Sequence, residues 1–235
     1  MLPSLVLFHV TRSMFHSFIY QPILSLTLGV YNVLGAQDLG VAILGVTILI
    51  RLLLLPLSLK AQRSQKQMAE VAPLIEQIKE KHPGDSEAQS RELMKLYQER
   101  GINPLAGCLP LIIQLPILIG LYQVFLGIVK PGAVDAAYAF VRPAHEISNI
   151  AFGFLDIAQP SIALAIAAGV AQFLQLKFTP TSTQGKQAQV ITQQLTYTLP
   201  LIIIAVSWSL PSGLALYWIT TSLFSLAEQL YLRRS

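Results

Sequence analysis

The chain has 235 residues, of which 53% are hydrophobic and 12% are charged. Soluble domains usually carry about 25% charged residues, so this composition favours a membrane protein over an ordinary soluble fold. The net charge of +4 is too small to predict nucleic-acid binding, and the single cysteine, Cys108, excludes an intrachain disulfide framework.

Residues 1–38 are predicted to form an N-terminal segment that does not cross the membrane. The opening residues lack the order of a signal peptide, in which a basic region precedes an apolar region and a cleavage site. Residues 15–35 are apolar but are interrupted by Gln21, Pro22, Asn32 and Gly35. We therefore expect an amphipathic helix at the membrane interface, with a sixth span as the alternative.

Five later segments are long and apolar enough to cross a hydrocarbon core, which needs about 20 residues. They cover residues 39–59, 105–128, 157–177, 191–209 and 212–232. The predicted fold class is therefore an all-α polytopic membrane protein, with a core of five transmembrane helices over residues 39–235.

Residues 60–103, within this core, form its one long polar loop. The sequence His82-Pro83-Gly84-Asp85 predicts a turn between two helices, and Ser86 with Gln89 fits a capping box at the second helix. Eight basic and seven acidic residues lie between Lys60 and Arg100, which does not suit a nucleic-acid-binding arm. The resulting helical hairpin is interpreted as either a solvated loop or a docking surface.

The distribution of Lys and Arg predicts the orientation. If the N-terminal segment is outside and the C-terminus is cytoplasmic, twelve basic residues lie on the cytoplasmic side and three lie outside. The twelve are Lys60, Arg63, Lys66, Lys79, Lys81, Arg91, Lys95, Arg100, Lys177, Lys186, Arg233 and Arg234. This bias agrees with the positive-inside rule.

Arg51 is the remaining basic residue, and it lies within the first span. An arginine at the centre of a membrane helix costs about 2.5–3.5 kcal/mol even on translocon-based scales. Such a residue usually faces a partner or a water-filled cavity. The alternative is a snorkelling arginine at the inner boundary, but four leucines separate Arg51 from the next polar boundary.

Further polar residues accompany Arg51 at helical spacing. The first span carries a stripe composed of Gly40, Thr47, Arg51, Ser58 and Gln62, and the last span carries Trp218, Ser222, Ser225 and Gln229. Gln114 and Gln172 lie toward the cytoplasmic side of their spans. Hydrogen bonds between helices could explain each residue alone. Their common bias predicts a hydrophilic groove that opens to the cytoplasm.

Residue types that would support catalysis are missing from the predicted spans. The nearest acidic residues lie at the boundaries, Asp156 just before the third span and Glu228 near the end of the fifth, and no histidine occurs in the spans. The sequence also lacks zinc-protease, nucleophile-elbow and phosphate-loop motifs. We therefore predict a protein that is not an enzyme and has no cofactor or metal.

Three sequence blocks carry specific motifs: residues 103–117 read NPLAGCLPLIIQLPI, residues 47–51 read TILIR, and residues 211–218 read PSGLALYW. These blocks resemble the YidC/Oxa/Alb insertases. The first block is long and specific, and with the hairpin and span order the resemblance covers residues 15–235. It implies a membrane protein insertase and chaperone in the bacterial plasma (inner) membrane.

The resemblance also implies a substrate groove around Arg51. Gln114 and Trp218 match groove positions by motif, whereas Gln172 is assigned by its depth. Thr47 and Ser222 are added from the polar stripes. The implied partners are nascent membrane proteins and the lipid bilayer, with the ribosome, the signal recognition particle receptor and the Sec translocon as further candidates.

Two features depart from some members of this family. No large outer domain is present, and only Arg233-Arg234-Ser235 follow the last span, so stable ribosome anchoring is not expected. The main alternative function is a small transporter subunit that binds an anionic solute at Arg51. A chaperone that only shields spans during assembly is a third interpretation.

Overall fold

The structure is a computed structural model that describes residues 14–33, 38–103, 109–128, 130, 132–143, 147–179 and 186–234. The described part is mostly helical, as predicted. Its α-helices are α1 (Gln21–Val33), α2 (Leu39–Glu70), α3 (Ala72–Lys81), α4 (Ser86–Glu99), α5 (Leu109–Gly127), α6 (Ile162–Phe178), α7 (Lys186–Ser207) and α8 (Ser212–Arg234). Pro104–Cys108, within the 103–117 block, lie outside the described residues.

Helix α2 is longer than the span predicted at residues 39–59. Asp38 begins it by accepting hydrogen bonds from the backbone N–H groups of Gly40 (2.7 Å) and Val41 (3.1 Å). The helix then continues without interruption to Glu70, so the first arm of the hairpin extends the membrane segment. Among the described residues, α2 is the helix whose length and hydropathy suffice for a membrane crossing.

Three other apolar helical stretches are shorter than a full span: Ile112–Gly127, Ile162–Phe178 and Gln193–Ser207. They coincide with the second, third and fourth predicted spans, and α8 coincides with the fifth. The number of transmembrane helices therefore stays a prediction.

Residues 14–33 of the N-terminal segment are helical, with a π-helical turn at His16–Tyr20 that leads into α1. Leu24 and Leu28 on α1 are completely buried in the main hydrophobic cluster, which also contains Leu39, Ile43 and Val46 of α2. The position of α1 at a membrane interface stays a prediction.

The hairpin consists of the end of α2, α3 and α4. Its predicted capping box is wrong, because the N-cap of α4 is Asp85, whose carboxylate accepts a hydrogen bond from the N–H of Ala88 (2.9 Å). The side chain of Gln89 instead donates to the carbonyl of His82 (2.6 Å) and closes the preceding turn. A carboxylate one residue earlier replaced the serine as the cap.

Glu92 on α4 connects the two arms of the hairpin through polar contacts. Its carboxylate lies 2.7 Å from the ammonium of Lys81 and 3.1 Å from the ring of His82. Hydrogen bonding to Lys81, and then to His82, holds the pKa of Glu92 below its ordinary value.

The all-α prediction missed a small antiparallel pair of strands, β1 (Ile150–Ala151) and β2 (Leu155–Asp156). Residues 152–154 connect them, and Phe152 and Gly153 have φ angles of 55° and 79°. Two successive positive φ angles suit a tight hairpin, and Gly153 adopts this conformation without steric cost. A strand of two residues is too short to produce a recognisable alternating pattern.

Helix α8 lies among the other long helices and packs against α2 and α6, while α6 also packs against α7. Gly169 permits the close approach of α6 and α7, because a Cβ atom there would lie 3.1 Å from the carbonyl oxygen of Pro200 and would clash with Ile204. This arrangement turns one face of α8 toward α2 and another toward α6.

Candidate substrate groove

The polar stripe of α2 is turned into the helix bundle. Thr47 is only 1% exposed, whereas Leu52 and Leu53 on the other side of the helix are 50% and 69% exposed. Ser58 and Gln62 form hydrogen bonds with α8. The periodicity of the sequence therefore predicted the inward face of α2 correctly.

Arg51 lies half-buried on this stripe. Tyr217 and Glu228 of α8 are close enough to interact with its guanidinium electrostatically. No carboxylate among the described residues lies within ion-pair distance of Arg51. The charge of Arg51 is therefore not neutralised by direct contact within that part of the chain.

Glu228 forms the polar contact between α8 and α2. Its Oε2 atom accepts hydrogen bonds from the Ser58 hydroxyl (2.5 Å) and the Gln62 side-chain amide (2.6 Å). Glu228 is 5% exposed, so this is a buried acidic residue in the bundle. The sequence placed it at the membrane boundary and did not assign it to the groove.

A second polar network joins α8 to α6. Ser222 donates to the Oε1 atom of Gln172 (3.2 Å), and the amide of Gln172 donates to Gln175 (2.7 Å). Farther along α8, Gln229 donates to the hydroxyl of Thr179 (2.8 Å). The predicted stripe on the last span therefore faces α6, and Gln172 and Ser222 are brought into contact.

The other predicted groove residues are placed differently. Thr47 donates to the carbonyl of Ile43 (2.6 Å), so its hydroxyl is occupied by its own helix. Gln114 is half-buried on α5, and no hydrogen bond within the described part of the chain links it to Arg51, Gln172 or Ser222. Trp218 is half-buried and packs against the apolar clusters. Their role in a groove stays a prediction.

Helical spacing could have identified Glu228. Tyr217, Thr221 and Glu228 are separated by four and seven residues, which places them on one face of α8. This face meets Arg51, Ser58 and Gln62, next to the stripe that meets α6. The sequence interpretation followed only the stripe through Trp218 and therefore missed the second polar face.

An apolar cavity of about 610 Å³ lies elsewhere, between α1, α2 and residues 138–141. It is lined by Pro22, Ser25, Leu26, Gly29, Val30, Val33, Gly45, Ile48, Leu49, Leu52, Tyr138, Phe140 and Val141. None of these residues belongs to the polar stripes, so this cavity is distinct from the predicted groove.

Within the described residues, no group of three His, Cys, Asp or Glu side chains could hold a metal ion. The arrangement around Arg51 offers a cation without a carboxylate in direct contact among the described residues, a buried carboxylate and several amide and hydroxyl groups. Such groups can lower the cost of placing a polar segment beside apolar helices.

Comparison with known proteins agrees with these features. The family model described as "60Kd inner membrane protein" matches residues 29–235. The membrane protein insertase YidC of Fusobacterium nucleatum subsp. nucleatum is 34% identical over 199 residues, which cover 84% of this chain and 87% of that protein.

Longer relatives match through part of their length. The membrane protein insertase YidC of Francisella tularensis subsp. novicida is 36% identical over 83% of this chain and 32% of that protein. The corresponding protein of Nitratidesulfovibrio vulgaris strain DP4 is 32% identical over 92% of this chain and 39% of that protein. This chain thus spans about a third of the length of these two relatives.

The fold is similar to a crystal structure of an active YidC insertase with its first transmembrane domain resolved. The TM-score is 0.56 at 28% sequence identity, and the match covers 84% of this chain and 42% of the other. Sequence and structure together establish that the chain belongs to the YidC family of inner membrane proteins.

Proposed function

We propose that this protein is a membrane protein insertase that transfers hydrophobic segments of nascent proteins into the lipid bilayer. The observation that carries this proposal is Arg51, a half-buried cation that faces α8 without a carboxylate at ion-pair distance among the described residues. Family membership indicates the general activity, and the charge of Arg51 offers a physical way to bring polar groups of the substrate into the membrane.

The proposed groove has Arg51 at its centre. From the sequence prediction, we assign Thr47, Gln114, Gln172, Trp218 and Ser222 to its wall. In the present structure, Thr47 and Ser222 are each 1% exposed, so a substrate needs separation of the helices around them. Such a separation would break the hydrogen bonds between α6 and α8, and their polar groups would then bind water or the substrate.

The proposed mechanism has two stages. The polar outer tail of the substrate enters the groove, where water and Arg51 shorten the distance that its polar groups travel through hydrocarbon. The apolar segment then leaves between the helices into lipid, favoured by about 25 cal/mol per Å² of apolar surface removed from water. Neither stage requires a covalent reaction, and this agrees with a protein that is not an enzyme.

We further propose five membrane spans in a bacterial plasma (inner) membrane, with the N-terminus outside and the C-terminus cytoplasmic. The twelve basic residues assigned to the cytoplasmic side support this orientation. The hairpin would then be cytoplasmic, where the ribosome, the signal recognition particle receptor and the Sec translocon are candidate partners.

Reconstitution tests the proposed activity. The purified chain is placed in liposomes without ATP, and insertion of a single-span protein is measured by protection from protease. We expect insertion above that of protein-free liposomes. Uptake of small anions without insertion would instead favour the transporter alternative, and prevention of aggregation without insertion would favour a shielding chaperone.

Cysteine accessibility tests the groove independently. In a Cys108→Ser background, single cysteines replace Thr47, Gln114 or Ser222, and a cysteine at Leu49, which lines the apolar cavity on the other face of α2, serves as the control. We expect faster reaction of the groove positions with a water-soluble thiol reagent added from the cytoplasmic side. Reaction at Leu49 that is as fast as at Thr47 would contradict a hydrated groove.

A further inference from the structure

Glu228 and Arg51 occupy different depths along α2. The carboxylate of Glu228 is bound by Ser58 and Gln62, which follow Arg51 by seven and eleven residues. At about 1.5 Å per residue, Ser58 lies roughly 10 Å along the helix from Arg51, toward the hairpin. The two charges interact through space but do not form an ion pair.

The carboxylate of Glu228 also retains unused hydrogen-bonding capacity. Among the described residues, both of its hydrogen bonds end on Oε2, and the buried Oε1 atom has no hydrogen-bond partner. A buried carboxylate is costly, and an incompletely satisfied one is more so. A purely structural connection between α2 and α8 would not need a charge, because a neutral amide could accept the same two hydrogen bonds.

The separation of the two charges has a consequence for any segment that lies along the groove. An ion pair in contact would largely cancel its own field, whereas charges held apart each act on groups near them. A segment on this path meets a negative potential near the hairpin end and a positive potential deeper in the bundle. The order of charges therefore distinguishes one substrate sequence from another.

We infer that Glu228 is a specificity-determining residue that offsets the attraction of Arg51 for acidic groups and lets the groove accept substrates with neutral or basic outer tails. This inference rests on the proposed insertase function. Its preferred substrate class is a single-span protein whose outer tail lacks strong negative charge, and an acidic tail must pass the carboxylate before it reaches Arg51.

The test uses the full chain in liposomes and a single-span substrate whose outer tail carries one acidic, neutral or basic residue at the same position. Glu228→Gln removes the charge and preserves the acceptor oxygen. We expect the ratio of acidic-tail to basic-tail insertion to rise by about fivefold. This is the change calculated for a tail charge about 8 Å from the carboxylate of Glu228 in a hydrated groove. Ser58→Ala is the matched control, because it removes a hydrogen bond and keeps the carboxylate.

A merely structural role for Glu228 would change insertion of all three tails equally in Glu228→Gln, and that result would overturn the inference. Gln62→Lys provides a second variant, because its ammonium can neutralise the carboxylate in place; it must shift the ratio in the same direction. If both variants leave the ratio unchanged while the wild type inserts all three tails, the specificity role fails and the insertase function stands. Absence of insertion by the folded wild type would contradict the insertase function itself.

Discussion

The charge of Arg51 is the property on which the proposed mechanism depends most directly. Arg51→Ala removes this charge, whereas Arg51→Lys preserves it in a side chain that cannot reproduce the planar guanidinium fork. We expect the alanine variant to lose insertion of acidic-tail substrates and the lysine variant to retain most of it. Neutral-tail substrates should be affected less by either change.

The size of the effect follows from the half-burial of Arg51. A substrate carboxylate about 5 Å from the guanidinium gains about 0.8 kcal/mol in a fully hydrated groove and about 3.3 kcal/mol at an effective dielectric constant of about 20. If this energy lowers the insertion barrier, the rate for an acidic tail falls between about fourfold and about 250-fold in Arg51→Ala. A value near the lower end would indicate a well-hydrated groove.

The assay compares initial insertion rates of acidic-tail and neutral-tail substrates in liposomes, together with thermal unfolding of each variant in detergent. Glu228 keeps its hydrogen bonds to Ser58 and Gln62 when Arg51 is removed, so we expect little loss of stability. Normal insertion of acidic tails by folded Arg51→Ala would refute the electrostatic mechanism. Unfolding of both variants would instead indicate that Arg51 is a structural clamp.

Three further predictions concern the scaffold. Gly169→Val should destabilise the protein by about 1–3 kcal/mol in detergent unfolding, because its side chain would clash at the α6–α7 contact, whereas Ala167→Val on the exposed side should not. The lowered pKa of Glu92 means that its contribution to hairpin stability is present above its ordinary pKa and is lost as pH falls through the lowered value. The protection of hairpin amides against hydrogen exchange, corrected for the intrinsic pH dependence of exchange, should therefore fall on acidification in the wild type and depend less on pH in Glu92→Gln. Finally, protease added to the cytoplasmic side should cleave at His82–Glu87, and protection of this loop in inside-out vesicles would contradict the proposed orientation.

The helices could be predicted from the sequence because their apolar runs are long and their interruptions are strong. The turn at residues 82–85 and the inward stripe of α2 both depend on local patterns that a single sequence contains. The first predicted span ends at residue 59, whereas α2 continues to Glu70. Loss of hydrophobicity marks the expected membrane boundary, but it does not stop a helix whose polar residues also favour helical structure.

The cap of α4 shows a limit of motif reading. Asp85 and Ser86 are both suitable N-cap residues, and the choice between them depends on where the preceding turn ends. In the structure, that turn is closed by Gln89, which contacts His82, and Asp85 is left to bind the N–H of Ala88. Because the N-cap lies one residue earlier than predicted, Asp85 caps α4 and the capping box of Ser86 and Gln89 does not form.

The assignment of Glu228 required knowledge of which helices are neighbours. Position in the sequence places this residue near the end of the last span, where an acidic side chain could reach the membrane surface. Packing against α2 instead buries it and provides two hydrogen-bond donors. Helical periodicity can assign Glu228 to a face of α8, but only tertiary structure shows that this face meets Ser58 and Gln62.

The two polar faces of α8 suggest how opening of the groove can be coupled to substrate charge. Through Glu228, α8 is bonded to the helix that carries Arg51, and through Ser222 it is bonded to Gln172 on α6. Because a helix moves largely as a rigid unit, displacement of α8 changes both sets of contacts together. A substrate that exchanges the Ser222–Gln172 hydrogen bond for its own polar groups would therefore also alter the distance between Glu228 and Arg51. Movement of α8 would therefore both admit a segment and change the electrostatic field that the segment meets.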